Sequence, residues 1–131
     1  MKASHVQRER LVRLERLAHI KSTVERSRLA RAARDEARLA QEVAAIVDRR
    51  HATTARIAQD ATPEMALIAA TGAWLRASEG ELRRMNIQLA ALRARTETLR
   101  AETARAVARH AVCETLVARA QRAWARQRSK L

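Results

Sequence analysis

The second half of the chain carries a regular repeat of apolar positions. Alternating steps of three and four residues lead from Leu75 to Trp124, and Leu, Met, Val or Ala occupies most of the positions reached. A mean spacing of 3.5 residues keeps one stripe of a helix against a partner helix when the two supercoil. The repeat therefore predicts a long helix, over about residues 64–128, that packs against another helix along its length.

The first half of the chain has a weaker apolar stripe and is predicted to form a helix over about residues 5–58. Leu17 and Leu39 lie 22 residues apart, which corresponds to six helical turns of about 3.67 residues each. This spacing predicts that the two helices do not share one heptad register. Ser4 and Gln7 have the spacing of a capping box at the helix start. The stripe is predicted to comprise Leu11, Leu14, Leu17, Ile20, Val24, Leu39, Val43, Ile46 and Ile57.

Residues 59–63 are predicted to form the turn between the two helices, because they contain the only proline of the chain. Thr62 has the character of an N-cap, Pro63 of a first helical residue and Glu64 of a first-turn acid. Gly72 and Gly80 each weaken a helix by about 1 kcal/mol relative to Ala. Fraying or a kink is therefore expected within residues 64–80, with the kink at 72–80.

These patterns predict an all-α fold: a long antiparallel two-helix coiled-coil hairpin with an overhanging C-terminal helix, forming one domain over residues 1–131. The absence of Phe and Tyr and the low Gly content fit this architecture. Residues whose numbers add to about 122–125 should face each other, which places Leu99 beside Val24. The alternative is a parallel homodimer with Leu89 facing its copy, and the break at Pro63 argues against it.

The chain is strongly basic, with 27 Lys and Arg against 14 Asp and Glu and a formal net charge of +13. Such a charge attracts acidic surfaces, whether nucleic acid, anionic lipid or an acidic protein. The basic residues are scattered along both halves, which favours a solvated surface and an acidic protein partner over a nucleic-acid footprint. Nucleic-acid binding stays open as an alternative.

The start of the chain runs directly into charged residues, without the apolar core of a signal peptide. No apolar run approaches the roughly 20 residues that a membrane helix requires. Cys113 is the single cysteine, so no internal disulfide can form and a cytoplasmic location is expected.

Residues with catalytic or ligand chemistry are sparse. His110 precedes Cys113 by three residues, but both belong to the repeat and a structural zinc site needs about four ligands. We interpret them as core residues and expect no metal, no cofactor and no catalysis, since phosphate loops and nucleophile turns are also missing from the sequence. Thr96 and Thr103 are interpreted as core residues that bond to their own helix, with a register-setting role as the alternative.

The overall pattern resembles the family of the flagellar export protein FliJ and its counterparts in virulence type III secretion. The features that carry the resemblance are the basic charge, the heptad-rich antiparallel pair, the central break, the Trp74-Leu75-Arg76 start after it, the Gln88-Leu89 step and the charged C-terminal arm. The resemblance extends over essentially the whole chain. Trp74 is the sole aromatic near the turn, where family members often have several.

The resemblance implies a non-enzymatic stalk, with a chaperone-like role, in a bacterial type III protein export apparatus. Such a stalk inserts into the export ATPase hexamer, promotes its assembly and activity, and links it to the cytoplasmic domain of the export gate protein; export chaperones are further partners. The location implied is cytoplasmic, at the inner membrane through these partners. Alternatives are a nucleic-acid- or ribosome-associated coiled coil and a homodimeric scaffold.

The resemblance also assigns two surfaces. The ATPase-binding set is expected to be Leu11, Leu14, Val117, Arg119, Arg122, Trp124 and Arg126. The gate-binding set is expected to be Ile46, Arg50, Trp74, Ser78, Glu81 and Met85. Trp74 and Trp124 are candidate interface anchors on physical grounds as well, because an exposed indole is a frequent hot spot. Trp124 can equally well close the end of the core.

Overall fold

The computed structural model describes residues 2–130 of the chain, and the side chains of 5–130. Within this range it contains two α-helices and no strand: α1 spans Lys2–Gln59 and α2 spans Met65–Ser129. The helices pack against each other in opposite directions, so that Glu15 contacts His110 and Arg50 contacts Ser78. The predicted all-α helical hairpin is confirmed.

α1 begins earlier than the sequence predicts. The helix already includes Lys2, so Ser4 and Gln7 lie inside it and the predicted capping box does not mark its start. The side chain of Ser4 is outside the described residues. Gln7 and Gln127 line the same pocket, and α1 extends for five residues before Gln7. α1 therefore lies beside the last turns of α2, whereas the sequence predicts that these turns extend beyond α1.

The turn contains Pro63, as predicted, but α2 begins later than expected. Ile68 donates its backbone N–H to the carbonyl of Glu64 at 3.1 Å, so Glu64 occupies the N-cap position and Met65 is the first helical residue. The prediction of Thr62 as N-cap is therefore wrong. The carbonyl that accepts the first hydrogen bond of the helix is that of Glu64, two residues after Thr62, and the backbone N–H of Thr62 donates to the carboxylate of Asp60.

The chain divides into two compact units. The first, here called the terminal unit, comprises the described residues of Met1–Arg31 and Glu97–Leu131. The second, called the turn unit, is Ala32–Thr96. Each unit contains a stretch of both helices, so each has its own antiparallel helix pair and its own core.

The repeat predicted in α2 is confirmed as its packed face. Each of the fifteen positions from Leu75 to Trp124 is buried or partly buried. In heptad lettering, with a and d as core positions, Leu75 is an a residue and Ser78 is a d residue. α2 is helical without interruption through Gly72 and Gly80, so the helix neither stops nor restarts there.

The packed face of α1 differs from the predicted stripe. Leu14, Leu17, Ile20 and Val24 are 44–64 % exposed, so the prediction that they lie in the core is wrong. Apart from the partly buried Val12, Ala40 and Val47, the buried and partly buried positions of α1 instead follow the same alternation of three and four residues as α2, so the prediction of different registers is also wrong. These positions are Arg8, Leu11, Glu15, Ala18, Ser22, Glu25, Leu29, Ala32, Glu36, Leu39, Val43, Ile46, Arg50, Thr53 and Ile57.

The pairing of the helices extends beyond the predicted range. Thr103 donates from Oγ1 to the backbone carbonyl of Glu25 at 3.2 Å, a pair whose numbers add to 128, whereas those of Glu15 and His110 add to 125. Small side chains are among the most buried in the chain: Ser22, Ala32, Thr96, Thr103 and Ala106. Small side chains let two helices pack closely. Leu14, Leu17, Ile20 and Val24 of the predicted stripe lie outside this face. The other members of the stripe lie in it: Leu11, Leu39, Val43, Ile46 and Ile57.

The two core threonines use their hydroxyl groups differently. Thr96 donates to the carbonyl of Leu92 in its own helix at 2.9 Å, which confirms that prediction. Thr103 bonds across to α1, so the expectation of a bond within its own helix is wrong for this residue. The cross-helix bond helps to fix the register of the terminal unit.

Candidate protein-interaction surfaces

Trp124 closes the core of the terminal unit and is covered by arginine side chains. The guanidinium carbon of Arg8 lies 4.5 Å from the centre of the indole, and that of Arg128 lies 4.4 Å from it. Each such cation–π contact stabilises by about 0.5–1 kcal/mol at a partly exposed site. Trp124 is partly buried, so it both ends the core and presents a cationic surface.

The predicted ATPase-binding residues all lie in the terminal unit. Leu11, Val117 and Trp124 occupy core positions and are partly buried, whereas the other members are exposed. Three of the exposed residues lie on α2 and line one concavity of about 790 Å³, together with Ala123 and Ala125. The exposed members are Leu14, Arg119, Arg122 and Arg126.

The predicted gate-binding residues all lie in the turn unit, but most of them face its core. Ile46 and Ser78 are buried and Met85 is partly buried. Arg50 donates from Nη1 to the carbonyl of Leu75 at 2.5 Å and to the hydroxyl of Ser78. Trp74 and Glu81 are therefore the members that a partner can reach directly.

An exposed set of aliphatic side chains lies on the outside of the terminal unit. We call it the apolar strip, and sequence reasoning missed it because four of its members were assigned to the core. Counting back from Leu39 in heptads would have revealed this, since the count reaches Ala32, Glu25 and Ala18 rather than the residues of the strip. The strip comprises Leu14, Leu17, Ile20, Val24, Val112 and Leu116, with Val112 at 59 % and Leu116 at 42 % exposure.

The α1 and α2 members of the strip lie on the same side of the terminal unit. Lys21 of α1 and Arg109 of α2 are both g residues, and they line one groove of about 310 Å³. Leu14 and Leu116 are the g residues one heptad further toward the two chain ends. The opposite side carries the e residues His19 and Glu114, both of which approach His110.

His110 forms a polar layer in the core of the terminal unit. Its Nε2 lies 2.9 Å from Oε1 of Glu15 on α1 and 3.1 Å from Oε1 of Glu114 on α2. The ring of His19 lies 5.0 Å away, measured between ring centres. The layer thus links the two helices through polar rather than apolar contacts.

The same three groups are candidate metal ligands, since their ligand atoms lie within 4.8 Å of one another. Cys113 is partly buried and is not one of the three. A closed structural zinc site has four protein ligands, and this cluster offers three. The hydrogen-bonded layer accounts for the short distances, because each carboxylate lies within hydrogen-bonding range of the imidazole.

Glu25 is the most buried acidic residue of the terminal unit, with 7 % of its surface exposed. Its Oε1 lies 3.6 Å from Nη1 of Arg28, and its Oε2 is buried without a hydrogen-bond partner. An unsatisfied buried polar group costs about 1–3 kcal/mol. Glu25 is therefore a weak point in the core, at the floor of the groove that Lys21 and Arg109 border.

Comparison of the chain with protein-family profiles, with curated proteins and with solved structures finds no match. Among the helices of the described residues, none is long and apolar enough to cross a membrane.

Proposed function

We propose that this chain is a non-enzymatic stalk of a type III protein export apparatus, of the kind that the FliJ family provides. Its terminal unit enters the export ATPase hexamer and promotes hexamer assembly and ATP hydrolysis. The observation that carries the proposal is the end of this unit, where Trp124 lies beneath Arg8 and Arg128. The exposed Arg122 and Arg126 on α2 add further positive charge.

This chemistry suits a protein pore with acidic or polar walls. Guanidinium groups bind carboxylates with two parallel hydrogen bonds and remain charged at any physiological pH. An indole beside them provides the apolar contact that often dominates interface energies. In the turn unit, the exposed Trp74 and Glu81 are the residues proposed to contact the export gate.

The proposal is tested by the steady-state ATP hydrolysis of the cognate export ATPase, with and without the full chain. We expect stimulation together with hexamer formation, measured by mass photometry. Trp124→Ala should lower the stimulation several-fold, whereas Trp74→Ala should leave it unchanged. The second substitution is the matched control, because it removes the other tryptophan from the turn unit.

A second pair of variants separates a lost contact from a damaged fold. Arg122→Glu with Arg126→Glu alters only exposed side chains and should also abolish stimulation while the helix content by circular dichroism is retained. The charge-matched control is Arg34→Glu with Arg84→Glu, which alters exposed arginines of the turn unit. Unchanged hydrolysis and assembly at micromolar concentrations of the wild-type chain would refute the stalk proposal.

The second candidate function is binding to nucleic acid, favoured by the three arginines around one concave surface of α2. It predicts that affinity for DNA or RNA falls steeply as salt rises, because each phosphate contact releases condensed counterions. Binding of this kind, lost in the Arg122→Glu and Arg126→Glu variant and combined with no effect on the ATPase, would favour this function instead.

A further inference from the structure

We propose that the apolar strip of the terminal unit is the docking surface for a single helix of an acidic protein partner. The partner helix would carry an apolar stripe bordered by Asp or Glu. This inference goes beyond the stalk proposal, because it assigns a partner of defined chemistry to the side of the unit that bears the g residues. The residues on which the stalk proposal rests lie elsewhere. Trp124 is an a residue, and Arg128, which lies over it, is an e residue on the opposite side of the unit.

The exposure of the strip is the first argument. Each of its six aliphatic side chains is more than two-fifths exposed, and all six belong to the same compact unit. Isolated exposed leucines are common, but a contiguous apolar patch marks a site of protein contact. The neighbouring core positions of α1 include Glu15, Ser22 and Glu25, so here the solvent-facing side is more apolar than the packed one.

The spacing of the strip fits a helix as the docking element. Leu14, Leu17 and Val24 follow one another along α1 at steps of three and seven residues, and Val112 and Leu116 are four residues apart on α2. They form two apolar lines, one on each helix of the antiparallel pair. A third helix can lie between two such lines with its own apolar stripe facing inward, as in other helix-in-groove complexes.

The charge around the strip determines the chemistry of the partner. One heptad toward the chain ends, the positions equivalent to Leu17 and Val112 are Arg10 and Arg119. One heptad in the opposite direction, the positions equivalent to Leu14, Val112 and Leu116 are basic: they are Lys21, Arg105 and Arg109.

Glu102 is the only acidic residue at the c and g positions of the described terminal unit. An apolar centre with positive charge at both ends is complementary to an apolar helix with negative charge at both ends. The same charge distribution disfavours a second copy of this chain as the occupant. The borders of two strips would carry like charges, which repel one another at an interface.

The test is selection from a displayed library of helical peptides. Each peptide has a fixed apolar stripe, and its flanking positions are varied among Glu, Lys, Gln and Ala. The full chain serves as the target at about physiological ionic strength, where exposed charges within about 8 Å still interact. We expect selected peptides to be enriched in Glu over Lys at the flanks, and their affinity to fall as salt is added.

Variants of the chain locate the site. Leu17→Gln with Val112→Gln should weaken the selected peptides by at least tenfold while the helix content is unchanged, since both side chains are exposed. Ile87→Gln is the control, because Ile87 is an even more exposed aliphatic residue and belongs to the turn unit. Equal affinity of the strip variant and the control for the selected peptides would overturn the proposal.

Three other outcomes would also overturn it. The first is the absence of any binder, and the second is enrichment of Lys over Glu at the flanks. The third is a dimer of the chain in sedimentation equilibrium that Leu17→Gln dissociates, which would assign the strip to a second copy. Leu14 also belongs to the expected ATPase-binding set, but Leu17 and Val112 do not. The ATPase measurement reports on Trp124, Arg122 and Arg126, so failure of the strip and failure of the stalk proposal can be distinguished.

Discussion

Polar side chains occupy several core positions of the terminal unit. The free-energy cost of burying each one depends on its hydrogen-bond partners. Thr103 satisfies its hydroxyl group on the backbone of α1, and His110 contacts two carboxylates. Glu25 differs, because one of its buried carboxylate oxygens has no hydrogen-bond partner. A core can therefore be polar and stable where each group is satisfied, and Glu25 does not meet that condition.

Replacing Glu25 by leucine should stabilise the protein. Glu25→Leu removes an unsatisfied buried carboxylate and places an aliphatic side chain of similar size at a d position, for an expected gain of about 1–3 kcal/mol. The measurement is urea unfolding followed by circular dichroism. Glu97→Leu, which alters an exposed acid, should change stability by less than about 0.5 kcal/mol. A loss of stability in Glu25→Leu would show that the carboxylate contributes a favourable interaction.

At the scale of the helices, α2 could be predicted from the sequence and the first half of α1 could not. In α2 the apolar repeat coincides with the packed face, so the pattern and the structure agree from Leu75 to Trp124. In α1 the most apolar stripe faces solvent. Hydrophobic periodicity identifies the face with the largest aliphatic residues, and in this region the helices meet through small and polar side chains such as Ala18 and Ser22.

The glycines of α2 offer a prediction about the helix itself. Both have ordinary helical backbone angles, and a methyl group added at Gly72 or Gly80 would meet only the end of an arginine side chain, at 3.7 or 3.9 Å. Gly72→Ala and Gly80→Ala should therefore each raise the free energy of unfolding by about 0.5–1 kcal/mol.

The control for the glycine variants is the reverse change at an exposed position of the same helix. Ala101→Gly should lower the free energy of unfolding by about 1 kcal/mol. If Gly72→Ala or Gly80→Ala proved destabilising, the glycine would be required for a close contact or for a bend in α2 that the helical geometry does not reveal.

At the scale of the whole molecule, the dominant property is the net charge of +13. Ion pairs such as Arg83–Glu79 and Arg93–Glu36 are exposed or partly exposed, and each contributes little. The chain contains 27 basic and 14 acidic residues, so even one-to-one pairing would leave 13 cations without an acidic partner. Repulsion among like charges therefore opposes folding more than the local ion pairs favour it.

Salt should accordingly stabilise the protein. The midpoint of urea unfolding is expected to rise as sodium chloride is increased from about 0.02 M to about 0.5 M, since screening weakens repulsion between exposed charges. The Arg34→Glu and Arg84→Glu variant lowers the net charge by four and should show a smaller rise. A midpoint that falls with salt would mean that the ion pairs outweigh the repulsion.

The candidate surfaces show the same division between what the sequence predicts and what packing decides. The expected ATPase-binding set falls within one unit, because residues near the two chain ends must meet in an antiparallel hairpin. The orientation of single side chains does not follow from that topology. Ile46 and Ser78 are enclosed by the turn unit because both are d residues of the packed faces, and Leu17 and Val112 are exposed because both are c residues.

The placement of the two tryptophans has a practical consequence for spectroscopy. The chain contains no tyrosine, so its intrinsic near-ultraviolet fluorescence comes from Trp74 in the turn unit and Trp124 in the terminal unit alone. Trp74→Phe and Trp124→Phe would each leave one emitter in one unit. Bound partners and local melting could then be followed in either unit separately, without any attached dye.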